Sequence, residues 1–144
     1  NCISSAKNLV YWNRELYVYI VGRLGQSVSL TSRQKNYKML QNITTKLSSK
    51  FSNESNSMNL FQKECIKDMI ADALYGTYVI YLSFTDTRNY EAELGNFVDN
   101  IDVNIKKYCR DKYILFSAYC FSKRWYKMLA LYYRWKKGIK NEKN

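Results

Sequence analysis

The chain has 144 residues, a net charge of +11, 47% apolar residues, five glycines, and neither proline nor histidine. Its length and apolar content suit one domain with its own core and exclude a disordered chain. The scarcity of turn formers excludes a sandwich or barrel in favour of a few long helices, and the missing histidine excludes Cys–His and Ser–His–Asp nucleophiles.

A first helix is predicted over Ser4–Leu24, where Leu9, Trp12, Leu16, Ile20 and Leu24 recur at helical spacing and Gly22 and Gly25 mark the end. A second opens at Thr31, where Thr31-Ser-Arg-Gln34 reads as a capping box, and carries Tyr37, Leu40, Ile43, Leu47 and Phe51 on one stripe. The polar run Ser52–Ser57 predicts a loop. A third helix is expected over Met58–Phe84, with a strand over Thr77–Phe84 as the rival reading, because that stretch is rich in β-prone residues. No apolar run reaches the ~20 residues of a membrane span. Thr85-Asp-Thr87 supplies a break, and a fourth helix starts near Arg88 and continues through Phe121. A basic fifth segment covers Ser122–Lys137, with Gly138 as its C-cap. The expected fold is all-α: a single domain over 1–144, a compact bundle of four to five helices.

The cysteines are Cys2, Cys65, Cys109 and Cys120. Without a Cys-x2-Cys pair or a histidine they do not read as a zinc site. On one helix Cys109 and Cys120 face the same way but stand ~16 Å apart, beyond the ~7 Å that a disulfide spans. Each must therefore reach a different element. An antiparallel hairpin turning near Asp86 sets Cys65 opposite residue 107, which predicts Cys65–Cys109 and leaves Cys2–Cys120. The alternative is a set of free thiols in a reducing compartment. The start at Asn1-Cys2 without methionine, and the sequons at Asn42 and Asn53, agree with a secreted chain.

Little in the sequence supports chemistry. Glu64, Asp68 and Asp72 form a helical row, read with Asp99 and Asp102 as solvated faces. Gly22-Arg-Leu-Gly25 lacks the spacing of a phosphate loop. No catalytic residue, metal or cofactor is expected, and the chain reads as a binding protein rather than an enzyme.

The charge is segregated. Residues 106–143 hold twelve Lys and Arg against Asp111 and Glu142, whereas residues 1–105 hold eleven against ten acids. On a helix over 123–137, Trp125, Met128, Leu129, Tyr132 and Trp135 fall within an arc of ~120°, with the cations opposite. The plain reading is a core face and a solvated basic face. The functional reading adds that the basic face binds an acidic partner through Arg124, Tyr126, Lys127, Tyr133, Arg134 and Lys137. An acidic host protein fits first; nucleic acid and an anionic membrane surface fit the same pattern.

Two family resemblances carry residues. Cys109-Arg-Asp-Lys-Tyr113, followed by Tyr119-Cys120, resembles the Cys-Tyr-Cys motif of the secreted aphid gall effectors called bicycle proteins. That resemblance implies a non-enzymatic effector delivered into host tissue, where it binds host macromolecules. Tyr37-Lys-Met-Leu-Gln-Asn-Ile43, with a late Cys120 and Trp125, is similar to helical cytokines of the type I interferon kind, which implies a receptor ligand. A basic nucleic-acid-binding module is the further alternative.

Overall fold

The computed structural model describes residues 29–139, so the expected first helix, Cys2 and the last basic residues lie outside it. The described residues form seven α-helices and no strand: α1 Leu30–Lys35, α2 Tyr37–Glu54, α3 Leu60–Ser83, α4 Thr87–Asp99, α5 Val103–Lys112, α6 Ile114–Phe121 and α7 Tyr126–Lys137. Short 3-10 turns at Ser55–Ser57 and Lys123–Trp125 precede α3 and α7. The all-α expectation holds, and the rival strand over Thr77–Phe84 is helix except for its last residue, the C-cap Phe84.

Helix α3 is the axis of the bundle. It buries Ile70, Ala71, Leu74, Thr77, Tyr78, Ile80, Tyr81 and Leu82, which cover about 200° of its circumference at about 100° per residue. Its start is fixed by a capping box: Asn59 accepts from the Gln62 amide at 2.9 Å, and the Gln62 side chain accepts from the Asn59 amide at 3.1 Å. Helix α2 packs antiparallel to it with small polar residues in the seam. Thr44 and Thr77 sit hydroxyl to hydroxyl at 3.4 Å, each also bonded to its own helix.

Several expected helix boundaries differ, and α2 runs to Glu54 through part of the expected Ser52–Ser57 loop. The second helix breaks at Asn36, and its N-cap is Ser29, whose hydroxyl accepts from the Ser32 amide. Gln34, expected in a capping box, reaches Ser83 instead. The fourth helix breaks at Asp102, which caps α5 by accepting from the amides of Asn104 and Ile105. That cap is anchored to α2: the Asp102 amide donates to Ser48 Oγ at 2.8 Å, and Ser52 donates to the carboxylate at 2.6 Å. A second break falls at Tyr113, extended at φ −125 and ψ 109, between α5 and α6.

These breaks reset the register that the cysteine pairing assumed. Helix α4 alone runs back along α3, with Tyr90 stacked on Phe84 and Glu93 accepting from Tyr81. After Asp102 the chain reverses, and residue numbers then rise together: Tyr108 meets Asp68, Cys109 meets Ala71, Tyr113 stacks on Tyr75 and Phe116 meets Tyr78. The Cys109 thiol therefore lies against the Ala71 carbonyl at 3.6 Å, about 9 Å further along α3 than Cys65. The expected Cys65–Cys109 bond is not formed. Cys65, Cys109 and Cys120 are all free thiols, and half of the expected Cys2–Cys120 pair lies outside the described residues.

Candidate binding surface

Helix α7 presents a different face to the core from the one its apolar content suggests. Tyr126, Leu129, Ala130 and Arg134 are buried, and Tyr133 is half-buried. Trp125, Met128, Leu131, Tyr132 and Trp135 are exposed at 43, 56, 55, 44 and 79%. The buried arc is centred about 130° from the expected one, at about 100° per residue. Of the residues expected to form the core stripe, only Leu129 does.

The cause is the C-terminus of α3, whose last carbonyls have no partner within the helix. Three side chains from elsewhere supply donors. The Tyr126 hydroxyl donates to the Tyr81 carbonyl at 2.8 Å, Gln34 donates to the Ser83 carbonyl at 3.3 Å, and the Arg134 guanidinium donates to the Phe84 carbonyl. A cation at that end also opposes the negative pole of the helix dipole. Tyr126 and Arg134 thus turn inward because α3 needs donors there, and the tryptophans turn outward as a consequence. Burial pushes the Tyr126 hydroxyl well above its ordinary range, with Arg134 acting in the opposite sense.

The six residues expected to bind a partner separate accordingly. Arg124, Lys127 and Lys137 are exposed, whereas Tyr126 and Arg134 are buried and Tyr133 packs at the edge of the core. The structure adds exposed residues that the helical projection had assigned to the interior: Trp125, Met128, Tyr132 and Trp135. Phe121, 83% exposed at the end of α6, has its ring 5.9 Å from that of Trp125. Tyr132 lies 6.3 Å from Trp135 and carries the Lys136 ammonium 6.0 Å above its ring.

Acidic residues neutralise only part of the terminal charge. Lys112 bridges Asp68 and Asp72 at 2.6 and 2.7 Å, Lys123 pairs with Asp99 at 2.7 Å, and Lys127 reaches Glu91 at 3.9 Å. The row of Asp68 and Asp72 is therefore an anchor for α5; the Lys112 and Tyr113 hydrogen bonds hold the Asp72 carboxyl below its ordinary range. Among the described residues, Arg124, Lys136 and Lys137 have no carboxylate within ion-pair distance. A second cationic feature lies on α5 and α6, where Val103, Lys106, Lys107, Arg110 and Cys120 line an open cleft of about 300 Å³. No group of metal-binding side chains and no helix long and apolar enough to cross a membrane occurs among the described residues. No family model, curated protein or solved structure matches the chain.

Proposed function

We propose that this chain is a non-enzymatic binding protein, a secreted effector whose α7 surface docks on an acidic host protein. The observation that supports it is the exposure of Trp125, Met128, Leu131, Tyr132 and Trp135 beside Arg124, Lys136 and Lys137, which pair with no carboxylate among the described residues. Solvated aromatic and apolar side chains on one helix face are costly without a partner, and Trp, Tyr and Arg are the residues that most often anchor interfaces. Tyr126 and Arg134 serve by holding α7 in place, so the binding residues are the outward set.

The exposed Cys120 is open to a second thiol, and a Cys2–Cys120 bond belongs to the secreted reading. Intact mass under reducing and non-reducing conditions checks that bond. The binding claim is checked by capture from host extracts with wild type and with Arg124→Glu plus Lys127→Glu. Loss of the captured protein in the variant is expected; equal recovery removes α7 from consideration. A receptor-ligand role uses the same surface and differs by recovering an ectodomain. Salt-sensitive binding of single-stranded nucleic acid would instead favour the nucleic-acid reading.

A further inference from the structure

We infer that the docking element of the partner is an acidic amphipathic helix laid along α7; this rests on the reading of α7 as the binding surface. Trp125, Met128, Tyr132 and Trp135 are spaced 3, 4 and 3 residues apart. That is the a/d spacing by which one helix seats against another. Within α7, Met128, Leu131, Tyr132 and Trp135 fall in an arc of about 100°, opposite the buried face, at about 100° per residue. Met128, Tyr132 and Trp135 alone span about 60°, the width of a helix–helix seam, whereas a helix lying in a bilayer presents a broad apolar face. The twelve residues of α7 span about 18 Å, room for three turns of a partner helix.

Charge selects the character of that helix. Lys127, exposed and no closer than 3.9 Å to Glu91, and Lys136 flank the seam on opposite sides, and Arg124 stands at its N-terminal end. In a coiled-coil-like pair, residues beside the seam meet residues beside the partner's seam and set partner choice by sign. Cations on both flanks fit carboxylates on both flanks of the partner. They also disfavour a second copy of this chain, which would bring like charges together.

The test uses defined probes and the whole chain. The first is a fluorescein-labelled peptide with Leu at a and d and Glu at the flanking positions. The second has the same composition rearranged to an alternating pattern, which keeps the charge and removes the apolar face. Vesicles of phosphatidylserine and phosphatidylcholine form the third. The patterned peptide is expected to bind at least ~10-fold more tightly than the rearranged one, and Met128→Ala or Trp135→Ala to weaken it ~10-fold. Lys127→Gln plus Lys136→Gln should flatten its salt dependence while leaving thermal stability unchanged. Equal binding of both peptides, still weakened by the Lys and Trp variants, overturns the helix inference and leaves α7 as the surface. Binding to vesicles alone, sensitive to Trp135→Ala, overturns it in favour of a lipid face. Binding that ignores every α7 variant overturns the underlying reading as well.

Discussion

Arg124 and Arg134 look equivalent in the sequence, two cations among aromatics, and the fold gives them opposite tasks. Arg124 is exposed and has no carboxylate partner among the described residues. Arg134 is 5% exposed, donates to the Phe84 carbonyl and has an Nε without a partner. Arg124→Glu should therefore leave stability within about 0.5 kcal/mol, as surface changes do. Arg134→Glu sets a buried carboxylate against the carbonyl end of α3 and should cost about 3 kcal/mol or more. Urea unfolding of the two variants checks the contrast, and similar midpoints would refute it. Glycines divide in the same way. Gly95 has nothing within 4 Å of an added Cβ, and Gly138 ends α7 at φ 64, its amide and that of Ile139 closing on Trp135 and Arg134. Gly95→Ala should stabilise by about 1 kcal/mol and Gly138→Ala should destabilise by a similar amount. The thiols form a third contrast. Burial pushes the Cys109 thiol up to about 12, while Cys120 is exposed beside Arg110, Lys106 and Lys123, which partly offset its own upward shift from desolvation. After reduction and removal of the reductant, an anionic disulfide reagent should label Cys120 before Cys109, and Cys109 only on unfolding, as read by peptide mapping; prompt labelling of Cys109 would contradict its burial.

Among the elements, the long helices were legible because their periodicity is strong, and the break at Asp102 was not because a tertiary contact sets it. Met58 to Phe84 reads as a helix from its stripe, and α3 covers nearly all of it. Residues 88–121 read as one rod because Leu94, Val98, Ile101, Ile105 and Cys109 keep helical spacing across the turn. What breaks the rod is Asp102, and its stopping power depends on Ser48 and Ser52 of α2, which no local pattern reveals. Asp102→Ala removes the cap and the anchor together and should cost about 1–2 kcal/mol. Backbone hydrogen exchange should then quicken in Asn100–Asn104 before it quickens in α3; uniform protection would contradict the anchoring role. The face of α7 was illegible for a related reason. Hydrophobicity assigned Trp125, Met128 and Trp135 to the core, and the donor demand at the end of α3 decided in favour of Tyr126 and Arg134. A sequence clue did exist: Tyr126, Leu129, Ala130 and Tyr133 share one face as completely as the tryptophans do, and both tyrosines carry the donors that a buried helix end requires.

At the scale of the whole molecule, tyrosine is the bundle's main filler rather than its adhesive. Tyr78, Tyr81, Tyr119 and Tyr126 are at most 1% exposed. Several of their hydroxyls are satisfied inside, Tyr78 on the Leu115 carbonyl and Tyr81 on Glu93 and Gln41. Desolvation is the largest cause that holds all four hydroxyls above their ordinary value of 10.0, with Glu93 adding to it at Tyr81 and Asp99 at Tyr119. A folded pKa above the unfolded one means stability that is complete below pH 10 and lost as pH rises, when the unfolded chain ionises and the folded one resists. Asp72 and Asp102 work in the other direction: lowered by their hydrogen bonds, which at Asp102 together outweigh the larger single effect of burial, they contribute above their ordinary value of 3.8 and lose that contribution on acidification. Both carboxylates are partly exposed, so the alkaline limb of the stability profile should be the steeper one. Circular dichroism across the pH range checks this, and a profile flat above pH 10 would contradict it.

The orientation of α7 decides between the outward seam and an ordinary buried stripe, and thermal unfolding of Met128→Glu beside Leu129→Glu tests it most directly. With Met128 outward and Leu129 7% exposed, Met128→Glu should hold its midpoint within a degree or so. Leu129→Glu should lose roughly 10 °C, the shift that corresponds to about 3 kcal/mol in a domain of this size. The reverse order, or equal losses at both positions, would mean that the tryptophan face is interior and that α7 offers no surface to a partner.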